Sequence, residues 1–319
     1  MSSEDLTRAE FLKVLGAAAG FALVPGAVTV LGEQLDPEPA AARATDAAYI
    51  SVAVGHSLNG SHVAAVTRTA IRNLGGMGAF VHKGDDVVVK PNIYGTRTPA
   101  MACTTNPTVV ATVVRECLKA GARRVRVMDR PCGGDAAQSY QMSGIQKATK
   151  AAGGSAVLMS ESRFKDYSIP QGRWLKSMGI YRDVMECDVL IDVPIAKVHG
   201  GGQISMACKN LMGCVDDPGY MHQQLHQAIP DLLSLVKPEL AIVDGTRVRV
   251  ADGPGGSSLS DVRKRYTVIA SADAVAADAY AVKHLLGQSP SSIAQLVNAQ
   301  SMGIGRIDLG ALATTRVKV

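Results

Sequence analysis

A chain of 319 residues and 33.3 kDa is long enough to bury one large core or two modest ones. Hydrophobic residues make up 47% but aromatics only 4%, so the core is aliphatic, and alternating strand and helix patterns favour α/β over a sandwich or a bundle. The net charge of +5 comes from scattered bases with few Phe or Trp, which argues against nucleic acid and for small anions as partners.

The first 44 residues stand apart, with six acids against three bases; the rest carries 30 bases against 22 acids, or +8. Thr7-Arg8-Ala9-Glu10-Phe11-Leu12-Lys13 precedes an apolar run from Val14 to Leu31, and Ala42-Arg43-Ala44 offers small residues for cleavage. A charged start, an apolar middle and a small-residue end are the layout of an export signal. The start resembles the twin-arginine motif, with Ala9 where the second arginine belongs. Residues 1–45 are therefore expected to be an export signal and linker, and 46–319 the α/β domain. A working signal places the protein outside the cytoplasm; otherwise it stays inside, and membrane contact comes through this segment lying on a bilayer. Six cysteines fit an oxidising compartment, and none shows C-x-x-C spacing.

From Ala48 the alternation predicts a first strand to Val54, then a helix from Ser61 to Leu74 stopped by Gly75-Gly76. Asp86 to Lys90 reads as a buried parallel strand ending at Lys90-Pro91-Asn92. Asn106-Pro107 caps a helix to Ala120, and Arg124 to Asp129 is a third strand. A helix Ala136–Ala152, a strand Ala156–Met159 and a strand Cys187–Pro194 follow. Beyond the central stretch come a helix Met221–Val236, strands Leu240–Asp244 and Arg265–Ala270, and helices Ala274–Leu286 and Ser291–Gln300. The expected fold is a mostly parallel sheet flanked by helices, as a single domain or a bilobal one. Several strands end in polar residues, at Lys90, Asp129, Lys197, Asp244 and Asp273, the last also reading as an N-cap, and open α/β sheets bind ligands outside those ends.

The stretch Lys197–Asp231 holds the densest chemistry: Lys197, His199, a glycine triplet, Cys208, Lys209, Cys214, His222 and His226. Lys197 and His199 share a face of an extended segment. Lys209 and Asn210 lie in an apolar frame, where a lysine must be paired, surface-directed or functional. On one helix, His222 and His226 would point to one side and could chelate a metal; the plainer alternative is a surface or capping pair. These spacings mark His199, Lys209 and Lys197 as candidate catalytic groups. Lys90, Asn92, Thr105 and Asn210 are candidate anion-binding groups, and His222, His226, Asp129, Asp244, Cys208 and Cys214 candidate metal ligands. Neither a P-loop nor a G-x-G-x-x-G is present.

Several blocks in order, among them VVVKPNIY, CTTNPTVVATVVRECLKAGARRVRVMD, DVLIDVPIAKVHGGGQISMACKNLMG, MHQQLHQAIPDLL and LAIVDGTRV, together resemble the domain-of-unknown-function 362 family. The resemblance runs over residues 50 to 305. It implies motif positions at Lys90, Asn92, Thr105, Asn106, Pro107, Asp129, Lys197, His199, Lys209, Asn210, Gly213, His222, His226, Asp244 and Asp273. Some members add an iron–sulfur domain that this chain lacks. The order His199, Lys209 and a downstream histidine also resembles the nickel-pincer lactate racemases, which would make Lys209 a cofactor anchor, His199 an acid or base and His226 a further base or ligand. Asn210 after the lysine departs from that pattern.

The leading expectation is an enzyme using a divalent metal or another cofactor on a small anionic substrate. The alternatives are a non-catalytic binder of a metal, cofactor or iron–sulfur cluster through the same residues and Cys208 or Cys214, or an assembly protein. Oligomerisation stays open.

Overall fold

A computed structural model describes residues 49–319; the export-signal expectation for residues 1–45 lies outside the described residues. The chain begins with β1 (Tyr49–Val54), α1 (Gly60–Arg72), β2 (Asp86–Pro91), α2 (Pro107–Ala120) and β3 (Arg124–Met128). Next come α3 (Ala136–Met142), α4 (Ile145–Ala151), β4 (Ser155–Val157), the hairpin β5 (Phe164–Ser168) and β6 (Ser177–Tyr181), and α5 (Arg182–Glu186). The central part holds β7 (Val189–Val193), β8 (Ile195–His199), β9 (Gln203–Ser205), α6 (Ala207–Asn210), α7 (Pro218–Met221) and α8 (Leu225–Leu235). β10 (Leu240–Arg249), β11 (Val262–Ser271), α9 (Ala274–Ala281), α10 (Ala294–Ser301) and β12 (Ala313–Lys318) complete it.

The sheet runs β12-β1-β11-β10-β7-β2-β3-β4, with β8 against β10 and β9 against β8. Pairing is parallel from β10 through β4, whereas β11 is antiparallel to both its neighbours. The fold is thus α/β with a mostly parallel mixed sheet flanked by helices. Alternation along the strands sorts side chains to two faces. Val88, Leu190, Val243 and Ile269 join one buried cluster with α8, α9 and α10, while Val87, Val89, Val189, Ile191 and Ile242 join the other with α1 and α2.

Where predicted elements differ, single residues explain the difference. The helix expected over Ala136–Ala152 is two, because Gly144 adopts φ 72° between them. The strand expected to end at Pro194 ends at Val193, since proline offers no N–H; the chain bends there and continues as β8, still alongside β10. The helix expected over Met221–Val236 is interrupted at Gln224, at φ −142°, leaving His222 in a short 3-10 turn and His226 in α8. β12 was not among the predicted strands; its alternating, half-exposed residues pair in parallel with β1.

A candidate active site at the strand ends

The carboxyl ends of β2, β3 and β8 open into a cavity of about 590 Å³. Its wall includes Lys90, Asn92, Tyr94, Asp129, Cys132, Lys197, His199, Lys209, Asn210, Gly213 and His222. This is the crevice expected of an open α/β sheet.

Its floor is a buried polar network. Lys90, fully buried on β2, sets its ammonium 2.6 Å from Asp129 at the end of β3 as an ion pair. It donates to Asn210 Oδ1 at 3.1 Å and to the carbonyl of Pro91 at 2.9 Å. Burial pushes the Asp129 carboxyl up, against the pull of Lys90 and of the Ile93 N–H that donates to it. Asn210 closes the network: its Oδ1 also accepts from Asn92 Nδ2 at 2.9 Å, and its Nδ2 donates to Asp192 Oδ1 at 2.7 Å and to the Lys90 carbonyl at 3.2 Å. A buried amide with all its positions filled fixes one arrangement of its neighbours. Gly213 lies against this floor, and a Cβ there would stand 2.1 Å from Asp129 Oδ1 and 2.7 Å from Lys90 Nζ.

Two further lysines stand above. Lys197, buried on β8, donates to Asn92 Oδ1 at 2.8 Å and to the Cys103 carbonyl at 2.7 Å, and its ammonium lies 4.9 Å from the Tyr94 ring centroid. Burial lowers its pKa to about 7. Lys209, on the four-residue α6, has no hydrogen-bond or ion-pair partner among the described residues, and burial, with Lys90 nearby, holds it at about 8. Both amines are therefore available to an incoming anion and lose protons near neutral pH.

The histidines take opposite tautomers. The Gly202 N–H donates to His199 Nδ1 at 2.9 Å, so that nitrogen is bare and Nε2 carries the proton. Burial and the charges of Lys209, His222 and Lys197 press the His199 pKa to about 3, which keeps the ring neutral. His222 Nδ1 lies 2.7 Å from the Pro218 carbonyl, which only accepts, so Nδ1 carries a proton and this bond selects the tautomer whose Nε2 is bare. The two ring centroids are 6.2 Å apart. One wall of the cavity thus presents a neutral N–H donor beside an imidazole acceptor.

The structure brings together Lys90, Asn92, Asp129, Lys197, His199, Lys209, Asn210 and His222 and leaves the other candidates elsewhere. Thr105 braces the Asn92 loop, accepting from the Asn92 N–H and donating to the Val193 carbonyl. Asp244 accepts from the Asn106 N–H and from Thr246, tying β10 to the start of α2. Cys208 and Cys214 are buried in the apolar core; burial raises both thiols, Cys214 to about 12. His226, beyond the break at Gln224, does not line the cavity. Among the described residues no group of three or more His, Cys, Asp or Glu stands together as a metal-holding set. Of the six anticipated ligands, Asp129 and His222 line the cavity and the other four do not.

Two wall or floor residues are not among the sequence candidates. Asp192 shows in sequence as one acid inside the apolar run DVLIDVP, and burial holds its carboxyl well above the usual range. Tyr94 lies on a loop whose approach to the cavity no local pattern reveals.

Comparison with known proteins fits this geometry into a lineage. The family model described as "domain of unknown function (DUF362)" matches residues 87–283, which span the floor, both lysines and both cavity histidines. The chain belongs to the DUF362 family. A thylakoid-associated protein of Synechocystis sp. is 27% identical over 266 residues, covering 80% of this chain and 79% of that protein. Among solved structures, the lactate racemase apoprotein of Thermoanaerobacterium thermosaccharolyticum matches with a TM-score of 0.41 at 10% identity, over 84% of this chain and 58% of that one. A Thermotoga maritima protein matches with a TM-score of 0.43 at 10% identity, over 79% and 60%. The chain thus spans about three-fifths of the length of these two solved structures.

Proposed function

We propose that this DUF362 protein is an enzyme that binds a small organic anion, bearing a carboxylate or a phosphate, and moves a proton on it. Lys197 and Lys209 receive the negative charge. His222 Nε2 takes a proton from the ligand, and the Nε2–H of His199 donates to the atom on which charge develops. The observation that carries this reading is the opposed pair of tautomers beside two buried amines in one cavity. A general base and a donor at fixed separation are what proton transfer from carbon or oxygen requires. The Lys90–Asp129–Asn210 floor keeps the lysines in place and takes no part in the transfer.

No step is routed through a metal or another cofactor, because the expected ligand set does not converge. Elemental analysis and a visible spectrum of chain purified without chelators test that directly. A stoichiometric metal lost in His199→Gln or His222→Gln would recast the two imidazoles as ligands. The thylakoid association of the Synechocystis relative and the apolar N-terminal run support work at or beyond a membrane.

The test of the reading is a calorimetric screen of short mono- and dicarboxylates and phosphate esters, followed by NMR in D2O of each ligand that binds. Deuterium should enter a C–H position of a bound ligand at a rate that falls at least ~100-fold in His222→Gln, while affinity stays within a few-fold. Binding without exchange leaves a non-catalytic anion carrier, and no binding by any ligand class overturns the reading.

A further inference from the structure

α9 reads AVAADAYA, and every one of its residues is buried. One of them is an acid. An ionised carboxylate in such surroundings costs several kcal/mol unless it is hydrogen-bonded, and Asp278 is bonded in one direction only. Its Oδ1 accepts from the N–H of Ala207 at 2.7 Å and its Oδ2 from the N–H of Cys208 at 3.0 Å. Those two amides open α6, the four-residue helix that carries Lys209 and Asn210 into the cavity. Short helices leave their first N–H groups without partners inside the helix, and a helix this short has almost no stability of its own. α6 has no side-chain cap from its own residues.

The geometry points to Asp278 as the positioning residue of the site: a carboxylate on another element clamps the start of α6 and thereby sets where the Lys209 amine and the Asn210 amide stand. Asp278 does not line the cavity and touches no ligand there. The clamp joins the active-site segment to a helix packed between β10, β11 and α10, so the position of Lys209 is referred to the rigid core rather than to the glycine loop before it. The Lys209 amine has no partner of its own to hold it, which makes the anchoring of its backbone decisive. This inference rests on reading Lys209 as an anion-binding group, but its test uses no ligand and so fails independently of that reading.

The experiment follows the Lys209 amine by NMR after reductive ¹³C-methylation of the full chain, with Lys209→Arg to assign its signal. The titratable groups facing that amine, Lys90, Cys132, Lys197 and His199, are left intact throughout. Burial lowers the titration midpoint of Lys209, so loosening α6 lets water reach the amine and raises it. In Asp278→Asn, which keeps one acceptor oxygen, the midpoint should rise by about half a unit, and in Asp278→Ala by about one unit or more. Asp273→Ala, which removes the N-cap of the same helix without touching α6, should weaken the fold and leave the Lys209 midpoint unchanged. An unchanged midpoint in folded Asp278→Asn, or an equal rise in Asp273→Ala, overturns the inference. Hydrogen exchange on the wild-type chain provides a reading that needs no variant. The amides of Ala207 and Cys208 should be protected to the level of α9 itself, and fast exchange at either would overturn the clamp.

Discussion

Asp129→Asn alters one atom of the buried pair beneath the cavity and leaves its shape intact. The amide oxygen can accept from Lys90 or from the Ile93 N–H but not from both, so the charge is lost together with one of these two contacts. Lys90 is then an ammonium at 0% exposure with no compensating carboxylate at 2.6 Å. Removing one partner of a buried pair costs about 3–5 kcal/mol. For a chain of this size that is a fall in melting temperature of roughly 5–8 °C. Lys90→Met combined with Asp129→Leu removes both charges and should recover most of the loss, since an apolar pair of similar volume replaces a buried ion pair at little cost. A single variant as stable as wild type, or a double variant no better than the singles, would show that the buried charge pair does not hold the floor together.

Other expectations follow from the same geometry. Gly213→Ala places a methyl against Asp129 and Lys90 and should destabilise by about 1–3 kcal/mol, read by urea denaturation, even though no unusual backbone angle is involved. Lys197 has a folded pKa of about 7, below the unfolded lysine value, so it penalises the folded state most below that pH and less as pH rises. Lys197→Met should flatten the rise in wild-type stability above pH 7 by a few kcal/mol at most, an order-of-magnitude figure for a fully buried amine; an unaltered slope would place the titration elsewhere. Anion affinity should weaken as pH rises through the Lys197 and Lys209 midpoints near 7 and 8, and in Lys209→Met only the lower step should remain in the calorimetric profile. Asn210→Leu strands Asp192, Asn92 and Lys90 together, so its melting temperature should fall further than that of the exposed control Gln288→Leu.

Much of this was legible in the sequence because it depends on period and on local chemistry. Parallel strands buried on both faces announce themselves as apolar runs, and a polar residue at the end of such a run, as at Lys90 and Asp129, marks the rim where ligands sit. Lys90, Asp129, Lys197 and His199 lie at such strand ends and line one cavity, which Lys209 and Asn210 reach from α6. The strand-end rule failed where a residue's destination depends on a single backbone angle. His222 and His226 are four apart, and only the bend at Gln224 decides that one enters the cavity and the other does not. It also failed where identical chemistry has a structural use: Asp244 ends a run as Asp129 does, yet both its oxygens are taken by Thr246 and the Asn106 N–H. The two carboxylates differ in what faces them across the sheet, a lysine in one case and a helix start in the other, and that pairing is set by strand order. Spacing along the chain carries no trace of strand order, so a sequence can nominate the groups at a strand-end site more readily than it can say which of them face one another.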